Sequence, residues 1–206
     1  MHPQSSIQKI EFWGYPGMEV ELGSVRTFSD EEFLEFCRGN PDARIERESN
    51  GEIILMAPTF TETGGMNGEL YFQLMAWTKT ARTGRAFDSS TGFALDNGAL
   101  RSPDASWVSN ERWDALSDEE RSGFAKICPD FVVELRSTSD NLEKLKGKMD
   151  EYISNGSVLG WLIDPVEKRI HVYRPGKEVE VQDNPAVLSA EPELAGFTLR
   201  LSEVWG

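Results

Sequence analysis

Asp104 and Glu134 are the residues whose types and setting point most directly to chemistry. Asp104 follows Pro103, and thirty positions later Glu134 stands inside the apolar run Phe131-Val132-Val133-Glu134-Leu135. A carboxylate in a buried strand loses its hydration, so it must find a cation, a metal or a hydrogen-bond network, or else protonate. Glu134 is near the C-terminal end of its expected strand, where ligand sites form in open α/β sheets. Glu46 stands in another expected strand and could converge on the same point. Three carboxylates without histidine or thiolate partners suit a hard cation, Mg2+ or Mn2+. The only histidines are His2 and His171, and Cys37 and Cys128 lie far apart with no Cys-x-x-Cys pattern. That argues against zinc and for two plain buried thiols in a reducing compartment.

Two basic residues could serve these acids. Arg136, two residues after Glu134, projects from the same face of a strand, where it could support a reaction or merely neutralise Glu134. Lys148 falls in an expected helix whose apolar stripe, at about 100° per residue, consists of Leu142, Leu145, Met149, Tyr152 and Ile153. Lys148 borders that stripe and could extend toward the end of the sheet, whereas Lys144 and Lys146 read as solvated.

The elements that must position these groups are legible in part. Ser29 and Glu32 form a capping box for a short helix ending before Gly39-Asn40-Pro41. Asn50-Gly51 between Arg44–Arg47 and Glu52–Met56 signals a hairpin. Met66, Leu70, Leu74, Trp77 and Ala81 recur with helical period, predicting an amphipathic helix over 65–82. Short β-like stretches at 85–88, 92–95 and 105–108 read as a meander leading into the Pro-Asp step. A strand at 131–135, a helix over 140–155 capped by Asp140 with Glu143, and an apolar strand at 158–163 form a strand-helix-strand unit, which requires two parallel strands. Alternation at 168–174 and β-like segments at 178–182 and 197–201 add antiparallel strands. The acidic run Asp118-Glu119-Glu120 reads as a helix start or surface feature. Trp77, Trp107 and Trp161 lie on periodic apolar faces and read as core rather than base-stacking platforms.

Several motifs together carry a resemblance. Glu46 with Asn50-Gly51-Glu52-Ile53-Ile54-Leu55-Met56-Ala57-Pro58, Ser102-Pro103-Asp104, Pro129 through Ser137, Ser139-Asp140, Lys148-Met149 with Tyr152, and Gly160-Trp161-Leu162-Ile163-Asp164-Pro165 appear in order at fitting spacing. Over residues 29–204 the chain resembles the Uma-two family of restriction-endonuclease-like proteins in the PD-(D/E)XK nuclease superfamily. The resemblance implies an α/β fold with a central mixed β-sheet flanked by α-helices and antiparallel hairpin additions. It also implies a Mg2+-dependent endonuclease hydrolysing DNA phosphodiester bonds, in which Asp104 and Glu134 bind metal, Glu46 is a third active-site acid and Lys148 assists.

The pattern is not followed throughout. The superfamily lysine normally sits two residues after the glutamate, and Arg136 occupies that place; arginine stays protonated and cannot share a lysine's proton chemistry. Thr138 replaces a frequent proline, and Gly64-Gly65 stands where relatives often carry a histidine.

Whole-chain properties bound the reading. With 206 residues and 39% hydrophobic composition, one domain over 29–206 with an N-terminal arm over 1–28 is expected. No basic start leads into an apolar run of signal-peptide length, and no apolar run nears the roughly 20 residues a membrane span needs, so a cytoplasmic protein without membrane contact is expected. The net charge of −14 opposes a polyanionic partner unless metal ions or a local basic rim reverse its sign. It therefore keeps two alternatives open: a catalytically silent nuclease-fold binding module, and a metal-dependent hydrolase of another phosphate ester. Cutting both strands of a duplex often uses two active sites, which is consistent with a homodimer.

Overall fold

A computed structural model describes residues 20–22, by backbone alone, and 28–205. The expected arm at 1–28 lies outside the described residues except for Phe28 and for Val20–Leu22. The latter forms strand β1, paired antiparallel with β3. The chain continues as α1 (Asp30–Gly39), β2 (Arg44–Arg47), β3 (Ile53–Met56), α2 (Thr61–Ala81), β4 (Gly84–Asp88), β5 (Phe93–Ala94), β6 (Leu100–Arg101) and β7 (Ala105–Ser109). Then come α3 (Asn110–Asp114), α4 (Asp118–Ser122), β8 (Phe131–Leu135), α5 (Leu142–Ser154), β9 (Leu159–Asp164), β10 (Arg169–Tyr173), β11 (Glu180–Asp183), β12 (Val187–Ser189), β13 (Thr198–Arg200) and α6 (Leu201–Val204).

The core is a six-stranded sheet in the order β11-β10-β9-β8-β7-β4. Its β8 and β9 run parallel, joined through α5, and its other pairs are antiparallel. Every residue of β8 and β9 is buried, because helices and loops cover both faces. Alternation along β8 divides the core. Phe131, Val133 and Leu135 pack with Leu70 and Leu74 of α2, whereas Val132 packs with Met149 and Tyr152 of α5. Glu134 has the parity of Val132 and so belongs to the α5 face. A second sheet, ordered β1-β3-β2-β6-β5, brings Glu46 and Arg101 to the same end of the molecule.

Local rules account for most elements. Ser29 and Ser117 each close a reciprocal capping box, with Glu32 and Glu120, at the starts of α1 and α4. The Asn-Gly turn joins β2 to β3 with Glu46 opposite Ile54. Trp107 and Trp161 are buried and Trp77 packs on Trp107 and Phe197, so all three serve the core.

Three expectations are corrected. The cap of α5 is Asn141, whose side chain accepts from the Glu143 and Lys144 N–H groups; Asp140 instead accepts from Ser137 N–H. The meander does not form: β4 pairs with β7, while β5 joins β6 in the other sheet, because residues 89–104 cross between sheets. Finally, α2 begins at Thr61, four residues before the expected start at 65. No described helix is long and apolar enough to cross a membrane.

Candidate active site

Strand register places the two acids. Ala105 pairs with Val133 across the antiparallel β7 and β8, so the next step outward sets Asp104 opposite Glu134. Asp104 is anchored from two directions: its Oδ2 accepts from Leu135 N–H at 2.8 Å and its Oδ1 from the Asn67 side-chain amide at 3.1 Å. Glu134 Oε1 accepts from the Tyr152 hydroxyl at 2.8 Å and lies 3.0 Å from the Lys148 ammonium. Lys148 lies one helical turn before Tyr152 on the same face of α5, so one helix supplies both partners.

Glu46 stands on the other side of Lys148. Its Oε1 is 3.0 Å from Lys148 Nζ and accepts from Ser102 N–H at 2.8 Å, and its Oε2 is 3.4 Å from Arg101. Arg101 also pairs with Glu48 and Glu151. The result is a nearly dry ion-pair chain running Glu134, Lys148, Glu46, Arg101, with Glu46 only 2% exposed and Glu134 4%.

Burial and charge compete at each group. Burial, reinforced by the Asp104 and Glu46 charges, pushes the Glu134 carboxyl up to about 7 despite the pull of Lys148. Asp104 is also raised, mainly by burial, although Leu135 N–H, Lys148 and Arg44 oppose the shift. Burial acts in the same direction on Glu46, but Lys148, Arg101 and Ser102 N–H outweigh it and hold that carboxyl below its ordinary range. Lys148 keeps its proton more tightly than an ordinary lysine, because Glu134 and Glu46 overcome its own desolvation.

Four of the five residues singled out from sequence are brought together: Asp104, Glu134, Glu46 and Lys148. Arg136 is not paired with Glu134. Continuing the parallel register of β8 and β9 places Arg136 beside Asp164, and the two form an ion pair at 2.7 Å. The three expected carboxylates do not meet as one group. Among the described residues no three His, Cys, Asp or Glu side chains gather as a metal group, because Lys148 sits between Glu46 and Glu134. Glu46 pairs with the lysine instead.

Sequence reasoning passed over Asn67 and Arg101. Arg101 adjoins Ser102-Pro103-Asp104, a proximity that could have flagged it. Asn67 carries no local signal, since it occupies an ordinary polar place in an amphipathic helix.

The matched profile covers residues 30–202 and is that of Uma2, described as "Putative restriction endonuclease". The chain belongs to this Uma2 family. A crystal structure described as a "putative nuclease belonging to DUF820" from Anabaena variabilis ATCC 29413 superposes with a TM-score of 0.70 at 24% identity, covering 85% of this chain and 96% of that one. At that identity the likeness establishes the fold: a restriction-endonuclease-like mixed sheet flanked by helices. No curated protein sequence matches significantly. In this chain Asp104 immediately precedes β7, Glu134 lies on the adjacent β8, and Lys148 lies on the helix that connects β8 to β9.

The donor set fits a hard divalent cation. Asp104 and Glu134 stand opposite each other where β7 and β8 pair, and burial is the main cause that raises both carboxyls. Beside them Asn67 Oδ1 is buried with no hydrogen-bond partner, although the same amide donates to Asp104. All three groups offer oxygen, which matches Mg2+ or Mn2+.

Proposed function

We propose that the chain is a divalent-metal-dependent endonuclease acting on DNA phosphodiester bonds. The observation that carries this reading is the register of β7 and β8, which sets Asp104 opposite Glu134 with Lys148 Nζ 3.0 Å from Glu134. A Mg2+ or Mn2+ ion held by Asp104 and Glu134 would lower the pKa of a bound water and neutralise charge on the phosphate.

The chain's own residues do the rest. Leu135 N–H and Asn67 fix the rotamer of Asp104, and the Tyr152 hydroxyl fixes Glu134. Glu46 holds Lys148 in place and keeps it charged. A lysine held in that state acts as an electrostatic partner or proton donor to the phosphoryl oxygens, not as a general base. Arg136, tied to Asp164, acts through the strand end that it braces.

A second reading is a catalytically silent nuclease-fold module that binds without cutting. It is favoured by the ion-pair lock on Lys148, which must loosen before the ammonium can reach a phosphate. Incubation with supercoiled plasmid in Mg2+ or Mn2+ decides between them. Under the nuclease reading, wild type nicks or linearises the plasmid, and Asp104→Asn and Glu134→Gln each lose roughly a hundredfold or more of that activity while keeping wild-type circular dichroism. An intact plasmid together with calorimetry showing no metal binding selects the silent module.

A further inference from the structure

A groove of about 180 Å3 adjoins the acids, its walls including Arg44, Ser89, Ser90, Ser102 and Phe124. Ser102 links it to the site, since the Ser102 N–H donates to Glu46 while the residue itself lines the groove. Arg44 stands two residues before Glu46 on β2 and so shares its side of the strand.

Most described arginines are tied to a carboxylate. Arg47, Arg101, Arg112, Arg121, Arg136, Arg169, Arg174 and Arg200 each have a carboxylate partner. Among the described residues Arg44 has none: its hydrogen bond is from one terminal nitrogen to the Ser89 carbonyl, at 2.6 Å. A guanidinium has five N–H donors in a planar fork, so several remain to be met by solvent or ligand. Its field extends to Asp104, whose carboxyl it favours in the ionised form, and to Asp88. Asp88 is itself occupied by Ser90 and Thr91, which donate to its Oδ1. The acidic groups near the groove are thus Asp42 at its rim, Asp88 already satisfied, and the site acids themselves.

A chain with 35 acidic and 21 basic residues has few places where a polyanion can touch it. A half-buried arginine with unspent donors, in a groove also lined by Ser89 and Ser102, is one of them. Phosphate matches it because the arginine fork grips two phosphate oxygens at once. We propose that Arg44, with Ser89 and Ser102, forms the subsite for a backbone phosphate of the polynucleotide, adjoining the phosphate that faces Asp104 and Glu134. The identity of the ligand rests on the nuclease reading above; the anion subsite does not.

The test measures binding apart from cleavage. A fluorescein-labelled duplex of about twenty base pairs is titrated by anisotropy in Ca2+ against wild type, Arg44→Ala, Arg44→Lys and Arg44→Gln, with thermal denaturation of each variant. Arg44→Gln retains a donor for the Ser89 carbonyl but loses the charge. Expected are a weakening of about tenfold or more for both Ala and Gln, partial rescue by Lys, and a salt slope shallower by about one unit. Wild-type affinity in Arg44→Gln overturns the proposal, even if Arg44→Ala is impaired through folding. Should wild type bind no duplex, the nuclease reading fails, and pyrophosphate titrated by calorimetry then decides the subsite. Heat lost in Arg44→Gln supports it, and no heat from wild type overturns it.

Discussion

At the residue scale the site is a contest between burial and charge, and it can be read by titration. Glu134 keeps its proton up to about 7 in the folded chain, against 4.5 ordinarily. An acid whose folded pKa is raised makes folding less favourable as pH climbs from the unfolded value to the folded one, with no further change above it. Between pH 4.5 and 8 the wild type should therefore lose on the order of 1–3 kcal/mol relative to Glu134→Gln, measured by urea denaturation at each pH. Divalent cations need that proton gone. Their affinity should rise with pH through about 7, with close to one proton released per ion, and calorimetry in two buffers of different ionisation enthalpy counts it. Proton-free binding would argue that Glu134 is no ligand. Above pH 7, where Glu134 is ionised, Lys148→Met should cost about 3–5 kcal/mol, since it strands Glu46 and Glu134 as buried charges. Adding Glu134→Gln to that variant should recover part of the loss, because one stranded charge disappears.

At the element scale α5 is the positioning device, since one helix bears Lys148, Glu151 and Tyr152. Its start depends on Asn141, whose side chain accepts two backbone N–H groups, so Asn141→Ala should lower stability by about 1 kcal/mol in thermal or urea denaturation. A steric constraint lies at β4. A Cβ on Gly84 would sit 2.3 Å from the Val108 carbonyl and 2.4 Å from the Trp107 ring, in the strand pair that carries Asp104 at its far end. Backbone and a packed indole cannot yield cheaply. Gly84→Ala should cost about 3 kcal/mol or more and lower the melting temperature accordingly. Helix and hairpin signals were plain in sequence because caps, Asn-Gly turns and apolar periodicity act locally. The stretch at 92–95 contains β5, but its partner β6 shows no period in two residues and exists only through its neighbours.

At the scale of the whole molecule, a net charge of −14 sets how the chain meets a polyanion. Long-range repulsion dominates the encounter at low ionic strength, and salt screens it within a Debye length of about 10 Å at 0.1 M. If the substrate is DNA, the association rate constant in Ca2+ should rise between 10 and 100 mM salt, opposite to the usual behaviour of basic nucleases. Stopped-flow anisotropy measures it, and a falling rate would show that local basic groups such as Arg44 govern even the first encounter.

The sequence alone specified the residue types and the local frames: an acid in a buried strand, a Pro-Asp step, a lysine on the border of an amphipathic helix, and a strand-helix-strand unit with parallel strands. Those follow from short-range rules, because capping, turn geometry and alternation act over a few residues. Which cation meets which acid was decided only by tertiary structure. Arg136 lies two residues after Glu134 in sequence, yet the parallel register of β8 and β9 puts Asp164 beside it, while Lys148 reaches from α5 to Glu134 and Glu46. Asn67, Arg101 and Arg44 entered the site for the same reason. Ion pairing depends on distances of a few ångströms in a low-dielectric interior, and register and packing between elements remote in sequence determine those distances.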